Sequence, residues 1–365
     1  MNRFSWGDPP RAAIVISEGK VKQDEILLPL LGGSPYVTIL PWDRSWPLSP
    51  RILFWTAVHA LRLRNLKAAY MIALLRVVDP AIVVTYIDNS LLFQRVVRAY
   101  PGPRYLSIQN GGRLVGRDHE GQRVFQGDFA CFGAVDVEQY RSYGAEVARY
   151  HPVGSLKDAY YRAQYAGRPA AKRFDLCLVS QIKPFHEKVY PKTMQGLELQ
   201  AGHLRRFAES RGLTVSVAAR RHPAAQADLF AWEKAWFHER LGPSAVVVPN
   251  LEAEYTAYRT MDESRVSLAM HTSMLREAFG RGGRVLSCNY SGDANYDFPL
   301  PGPWALSDPS YEAFEARLSS LLDMSEADYE KLSAAARSRA IGYDPADPTE
   351  RYLSRLISDT VAARP

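Results

Sequence analysis

Short, nearly continuous runs of aliphatic and β-branched residues recur along this chain, and helical stretches fill the gaps between them. AAIVI (12–16), YVTIL (36–40), AIVVTY (81–86), RYLSIQ (104–109), FACF (129–132) and ARYHPV (148–153) mark the first half. FDLCLVS (174–180), LTVSVAA (213–219), AVVVP (245–249), VSLAM (266–270) and RVLSC (284–288) mark the second. Stretches 50–77, 89–99, 136–143, 187–211, 225–240, 273–280 and 309–322 read as helices. A strand apolar along its whole length must be covered on both faces, so the pattern predicts an α/β fold of parallel sheets wrapped by helices. The small, basic segment AQYAGRPAAKR (163–173) reads as a linker between two doubly wound domains, 1–165 and 174–340. The tail is helical in pattern and interrupted around GYDPADP (342–348). It ends in a helix within 341–365, for which the N-terminal domain is a candidate packing surface.

The chain has 365 residues, enough for two ordinary domains, and 47% hydrophobic with 23% charged residues excludes a disordered chain. Cys131, Cys177 and Cys288 are far apart, form no metal spacing and read as small core residues, which suits a reducing cytoplasm. The N-terminus has no signal-peptide run and no window is apolar enough to span a membrane. The expected location is therefore cytoplasmic. The net charge of +6 suits an acidic partner. That charge is uneven: no acid lies between Asp43 and Asp79, where Arg51, Arg62, Arg64, Lys67 and Arg76 fall. The stretch 48–78 reads either as a core helix pair with a basic outer face or as a peripheral contact with an anionic inner membrane. No basic cluster is interleaved with aromatics in the manner of a nucleic-acid site, so no nucleic-acid partner is expected.

In doubly wound sheets ligands bind at the carboxyl ends of strands, so the strand exits carry the functional reading. YIDNS (86–90) places Asp88 directly after a strand, with Asn89 or Ser90 able to cap the helix that follows, so Asp88 reads either as part of that N-cap or as a general base that takes a hydroxyl proton. QNGGR (109–113) offers the amides of Gln109 and Asn110, a flexible backbone at Gly111, and the planar cation of Arg113. VSQIKPF (179–185) brings Ser180, Gln181 and Lys183 to the first exit of the second half. AARRHPAA (218–225) follows with Arg220 and His222, the histidine held by a proline; a solvated basic turn is the alternative. HTSMLREAFGRGG (271–283) sets His271, Thr272 and Ser273 at a helix start, where free amides favour an anion. Glu277, four residues after Ser273, is placed to accept from a ribose diol, or else to complete a cap with Ser273. No Asp-x-Asp occurs, so neither a metal nor another cofactor is expected.

This set of exits resembles bacterial glycosyltransferases of the GT-B fold, which have two facing Rossmann-like domains and an active site in the cleft between them. The resemblance implies an N-terminal acceptor domain and a C-terminal domain for a nucleotide-sugar donor. His222-Pro223 and Thr272-Ser273 are similar to motifs of sialic acid and Kdo transferases, which implies a CMP-linked donor with its phosphate on His222, Thr272 and Ser273. Glu18 and Asp24, in the loop after the first strand, then join Asp88 as candidate bases and acceptor contacts. Enzymes of capsule and teichoic-acid synthesis often carry His-Gly where this chain has Asn110-Gly111. The expected function is transfer of a sugar to a saccharide or lipid-linked acceptor in surface polysaccharide synthesis. The alternatives are polyol-phosphate transfer from a CDP-activated donor, or nucleotide-sugar or nucleic-acid binding without turnover.

Overall fold

The computed structural model describes residues 4–17, 26–39, 46–114, 118–119, 121–165, 170–184 and 186–364. They form two compact units, one of Met1–Tyr160 with Gly342–Pro365, the other of Tyr161–Ile341. The chain passes between units within the helix Leu156–Tyr165, just ahead of the segment that reads as a linker.

The first unit contains β1 (Phe4–Trp6), β2 (Ile14–Ser17), β3 (Tyr36–Ile39), β4 (Trp46–Leu48), β5 (Ile82–Thr85), β6 (Arg104–Ile108), β7 (Phe125–Cys131) and β8 (Glu146–Pro152). Six of these make one parallel sheet in the order β3-β2-β5-β6-β7-β8, while β1 and β4 form a separate parallel ribbon. The period of two along each strand divides the core between the two faces. Ile14, Ile16, Ile82, Val84, Leu106 and Ile108 pack on one side. Val15, Val83 and Tyr105 pack on the other, beneath the helix Leu66–Val78. The expected single helix over 50–77 is two, Pro50–Leu63 and Leu66–Val78. Arg64 turns left-handed at φ 50° and the Asn65 side chain caps the second helix, so the apolar run breaks without a proline or glycine.

The tail helix Thr349–Ala362 belongs to this unit and buries Leu353 and Ile357 against the β2–β5–β6 face. Its entry is fixed at Gly342, whose amide donates to the Phe132 carbonyl at 2.7 Å. A Cβ at that position would lie 2.0 Å from the Pro152 carbonyl oxygen, so only glycine fits. Arg104 donates both Nε and Nη2 to Asp128 at 2.8 Å, and His151 links Asp128 to the Tyr352 hydroxyl of the tail helix. These bonds hold the Asp128 carboxyl well below the ordinary carboxylate range, against the opposing effect of its burial.

The second unit contains β9 (Phe174–Val179), β10 (Val215–Ala218), β11 (Val246–Val248), β12 (Ser264–Ala269), β13 (Arg284–Cys288) and β14 (Ala305–Leu306). All pair in parallel, in the order β11-β10-β9-β12-β13-β14. In chain order that is 3-2-1-4-5-6, the dinucleotide-fold order, whose switch point falls between β9 and β12. β1, β4 and β14 are too short to stand out as apolar runs. Cys131, Cys177 and Cys288 are buried thiols outside any disulfide, and burial pushes Cys177 up to about 11 and Cys288 to about 12. Among the described residues, no helix is long and apolar enough to cross a membrane.

Candidate active site

The exits of β5 and β6 form a closed ion-pair network. Asp88 is 1% exposed, and Arg113 grips its carboxylate with Nε at 2.8 Å and with Nη2. The Asn110 amide adds a 3.3 Å bond to the same carboxylate, and the Gln126 side chain donates to the Asp88 carbonyl at 2.9 Å. The Arg113 guanidinium is held above its ordinary pKa by that carboxylate, which outweighs burial. Arg113 also donates to Asn110 Oδ1, and Asn110 Nδ2 donates to the Tyr86 carbonyl at 2.6 Å. Gln109 donates to Gly111 and Asp136 and accepts from the Phe132 amide, every bond within 2.9 Å. Asp136 in turn receives the Gly133 amide at the start of the helix Ala134–Ser142.

Several expectations change here. The cap of the helix Leu91–Ala99 is Ser90, one of the two residues expected to cap it, and Asp88 takes no part in the cap. A general base needs an accessible lone pair, and Asp88 has both oxygens bonded to Arg113. Gln109 and Arg113 turn their polar atoms inward, where a strand exit needs partners for its own loop. Neither Gly111 nor Gly112 takes a left-handed conformation. Glu18 and Asp24 lie outside the described residues.

The exits of β9 and β10 are arranged differently. Glu233, fully buried on the helix Ala227–Leu241, receives the Ser180 hydroxyl and the amides of Arg220 and Arg221, each amide at 3.0 Å. The carboxylate thus faces the backbone of both exits, and no carboxylate pairs with either guanidinium among the described residues. Arg221 Nε is a buried polar atom without a partner. Lys183 has its pKa lowered by burial and then by Arg220 and Arg221; Arg220 is lowered by burial and then by Arg221, against a raising effect of Glu233. Three cations therefore stand in one another's fields.

His222 is built into the same edge. Pro223 has no N–H, so the first free amides of the turn belong to Ala224 and Ala225, and both donate to His222 Nδ1 at 3.1 Å. With Nδ1 accepting, the neutral ring carries its proton on Nε2. Gln181 spans the switch point: its Oε1 accepts from the amides of Met270 and His271 at 2.8 and 2.9 Å. Thr272, not Ser273, caps the helix Ser273–Gly280, accepting from the Met274 amide. His271 lies edge-on to Tyr296 at 5.1 Å between ring centroids. Glu277 is 3% exposed and accepts from the Tyr258 hydroxyl at 2.8 Å, a position in the unit's interior and not the open face a ribose contact needs. The glycines after this helix serve its ending: Gly282 is left-handed, and a Cβ on Gly283 would meet the Ala278 carbonyl oxygen at 2.9 Å. The residue that sequence reasoning missed is Glu233. Its signal is an acid on the stripe Phe230–Glu233–Trp236–Phe237, where an apolar side chain is due.

No family model matches the chain, and no curated protein is significantly similar to it in sequence. Solved structures are similar. A protein of Listeria monocytogenes described as a candidate UDP-N-acetylglucosamine 2-epimerase superposes with a TM-score of 0.56 at 13% identity, covering 95% of each chain. The UDP-GlcNAc 2-epimerase of Neisseria meningitidis, bound to UDP-GlcNAc, gives 0.54 at 10% identity over 96% of this chain and 99% of that one. The wall teichoic acid polymerase TagF gives 0.52 at 11% over 97% and 90%. At such identities the likeness concerns architecture. This chain has the GT-B type of fold, two Rossmann-like α/β units with parallel sheets.

Proposed function

We propose that this chain is a glycosyltransferase that takes its sugar from a nucleotide-activated donor and serves surface polysaccharide synthesis. The observation that carries the reading is the surplus of positive charge at the β9 and β10 exits. Arg220 and Arg221 stand in each other's field there, with Lys183 near both, while Glu233 is committed to backbone amides and Ser180. Such a cluster is stabilised by a di- or monophosphate, and it can neutralise a leaving nucleotide without a metal. In this reading His222 donates Nε2–H to a phosphate oxygen. Thr272 and Ser273 present the helix N-terminus to the same group, with His271 beside them.

Transfer forms a bond from the acceptor oxygen to the anomeric carbon and breaks the bond from that carbon to phosphate. The nucleotide leaves with the electron pair, and the acceptor proton passes to a base. With Asp88 closed by Arg113, Glu18 and Asp24 are the proposed bases. The UDP-GlcNAc bound by the Neisseria protein favours a uridine donor, and His222-Pro223 a CMP-linked one. Polyol-phosphate transfer is the second reading, favoured by the likeness to TagF. Titration calorimetry with UMP, UDP, CMP and GDP, then product analysis with the matching donors, tests the proposal. A transferred sugar supports it, and a transferred polyol phosphate or an isomerised free donor replaces it. Absence of binding by all the nucleotides overturns the phosphate assignment.

A further inference from the structure

The helix Pro50–Leu63 is apolar on opposite sides. Ile52 is buried in the first unit's core. The other side is open: Leu53 and Phe54 are 48% and 60% exposed and Leu61 is 85% exposed. At the helical repeat, Leu53, Phe54, Ala57, Val58 and Leu61 fall within one arc of about 140°. Arg51 and Arg62 border that arc on one side. Arg64, Leu66 and Lys67 follow at the helix end, with Leu66 again exposed. At the helix start the β1–β4 ribbon adds Phe4 and Trp6, both mostly exposed. The ribbon is tied there by Asp8, which accepts from Ser49 and pairs with Arg51 at 3.2 Å.

Scattered exposed apolar residues need no explanation, but a continuous arc with aromatic rings does. Its border is cationic, and the sequence from 44 to 78 contains no Asp or Glu. Pairing this face with a second copy would set like charges together. A bilayer with anionic lipids instead matches both features: aromatic and aliphatic side chains enter the headgroup boundary, and guanidinium groups meet lipid phosphates. We propose that this face docks on an anionic membrane surface, with Trp6, Phe54 and Leu61 inserted and Arg62, Arg64 and Lys67 against the lipid phosphates. The inference stands independently of the transferase reading.

The full chain is tested by co-sedimentation with vesicles of phosphatidylcholine alone and of phosphatidylcholine mixed with phosphatidylglycerol. It is expected to pellet with the mixed vesicles at low salt and to be released as ionic strength rises. The double variant Phe54→Glu, Leu61→Glu lowers binding by about tenfold or more. Arg62→Glu with Arg64→Glu lowers it by about tenfold. Both pairs are exposed, so thermal unfolding of the variants stays at the wild-type midpoint. Equal binding to neutral vesicles, no binding to either, or unchanged binding of the variants overturns the proposal. So does a wild-type dimer that Phe54→Glu, Leu61→Glu converts to monomer, which assigns the face to a second copy.

Discussion

The strand exits of the two units carry the same kinds of residue and use them in opposite ways. At β5 and β6, Asp88 and Arg113 are buried together and spend their charges on each other. At β9 and β10, the guanidinium groups of Arg220 and Arg221 make no ion pair among the described residues, because Glu233 faces the main chain. The first arrangement needs nothing from outside. The second holds like charges close together, an arrangement that suits a ligand of opposite sign. An arginine at a strand exit is therefore a poor guide to function until its partner is known.

The comparison breaks most easily at Asp88. Asp88→Ala leaves the Arg113 guanidinium buried without its counter-charge, which costs roughly 3–5 kcal/mol in folding stability. Urea unfolding measures this directly. Full stability with lost activity would make Asp88 a working group and erase the contrast between the two edges. Glu233→Ala comes next. It strands the Ser180 hydroxyl and two amides, and with about 1–3 kcal/mol for each unpaired buried donor, partly relaxed by water, the loss is about 3 kcal/mol. Glu233→Gln keeps an acceptor oxygen and recovers part of that loss in the same measurement.

The parallel sheets were legible because a strand covered on both faces must be apolar throughout, as in AIVVTY and FDLCLVS. The exits were legible as positions for the same reason: the apolar run stops at Asp88, Ser180 and His271. What those side chains touch was not legible. Asp88 and Arg113 are separated by a helix and a strand, and nothing in either local sequence names the other. The pairing of Gln109 with Asp136 is hidden in the same way. Glu277 reads as an outward residue of a short helix, but Tyr258 from the preceding helix claims it. Thr272 and Ser273 are both good caps, and only backbone geometry decides between them. The break after Leu63 had a local signal, since Asn65 is a preferred cap and three residues on its amide partner is Ala68, but the surrounding apolar run concealed it.

On the second edge the effects should appear in binding and spare the fold. Arg220→Ala with Arg221→Ala removes two charge-assisted donors and weakens nucleotide binding by about ten- to a hundredfold. Calorimetry reads that loss, while urea unfolding stays at or above the wild-type midpoint because a repulsion has been removed. A large loss of stability would place the two arginines with Arg113, as architecture.

The smallest effect is the sharpest test of the charge surplus, because it predicts opposite signs for two measurements. The Lys183 ammonium loses its proton below the ordinary 10.5, through burial first and its two arginine neighbours second. In the proposed phosphate site the ammonium is the binding form, so affinity is expected to decline as pH rises through this lowered pKa. Folding stability moves the other way. Across the window between the lowered pKa and 10.5 the unfolded chain binds more protons at Lys183 than the folded one, so stability rises with pH there. The difference between wild type and Lys183→Met isolates this contribution from the tyrosines that titrate nearby in pH. Arg221→Ala removes one depressing charge and shifts both the decline in affinity and the rise in stability to higher pH. If the two curves moved in the same direction, or if Arg221→Ala left both in place, Lys183 would not belong to a shared cationic site.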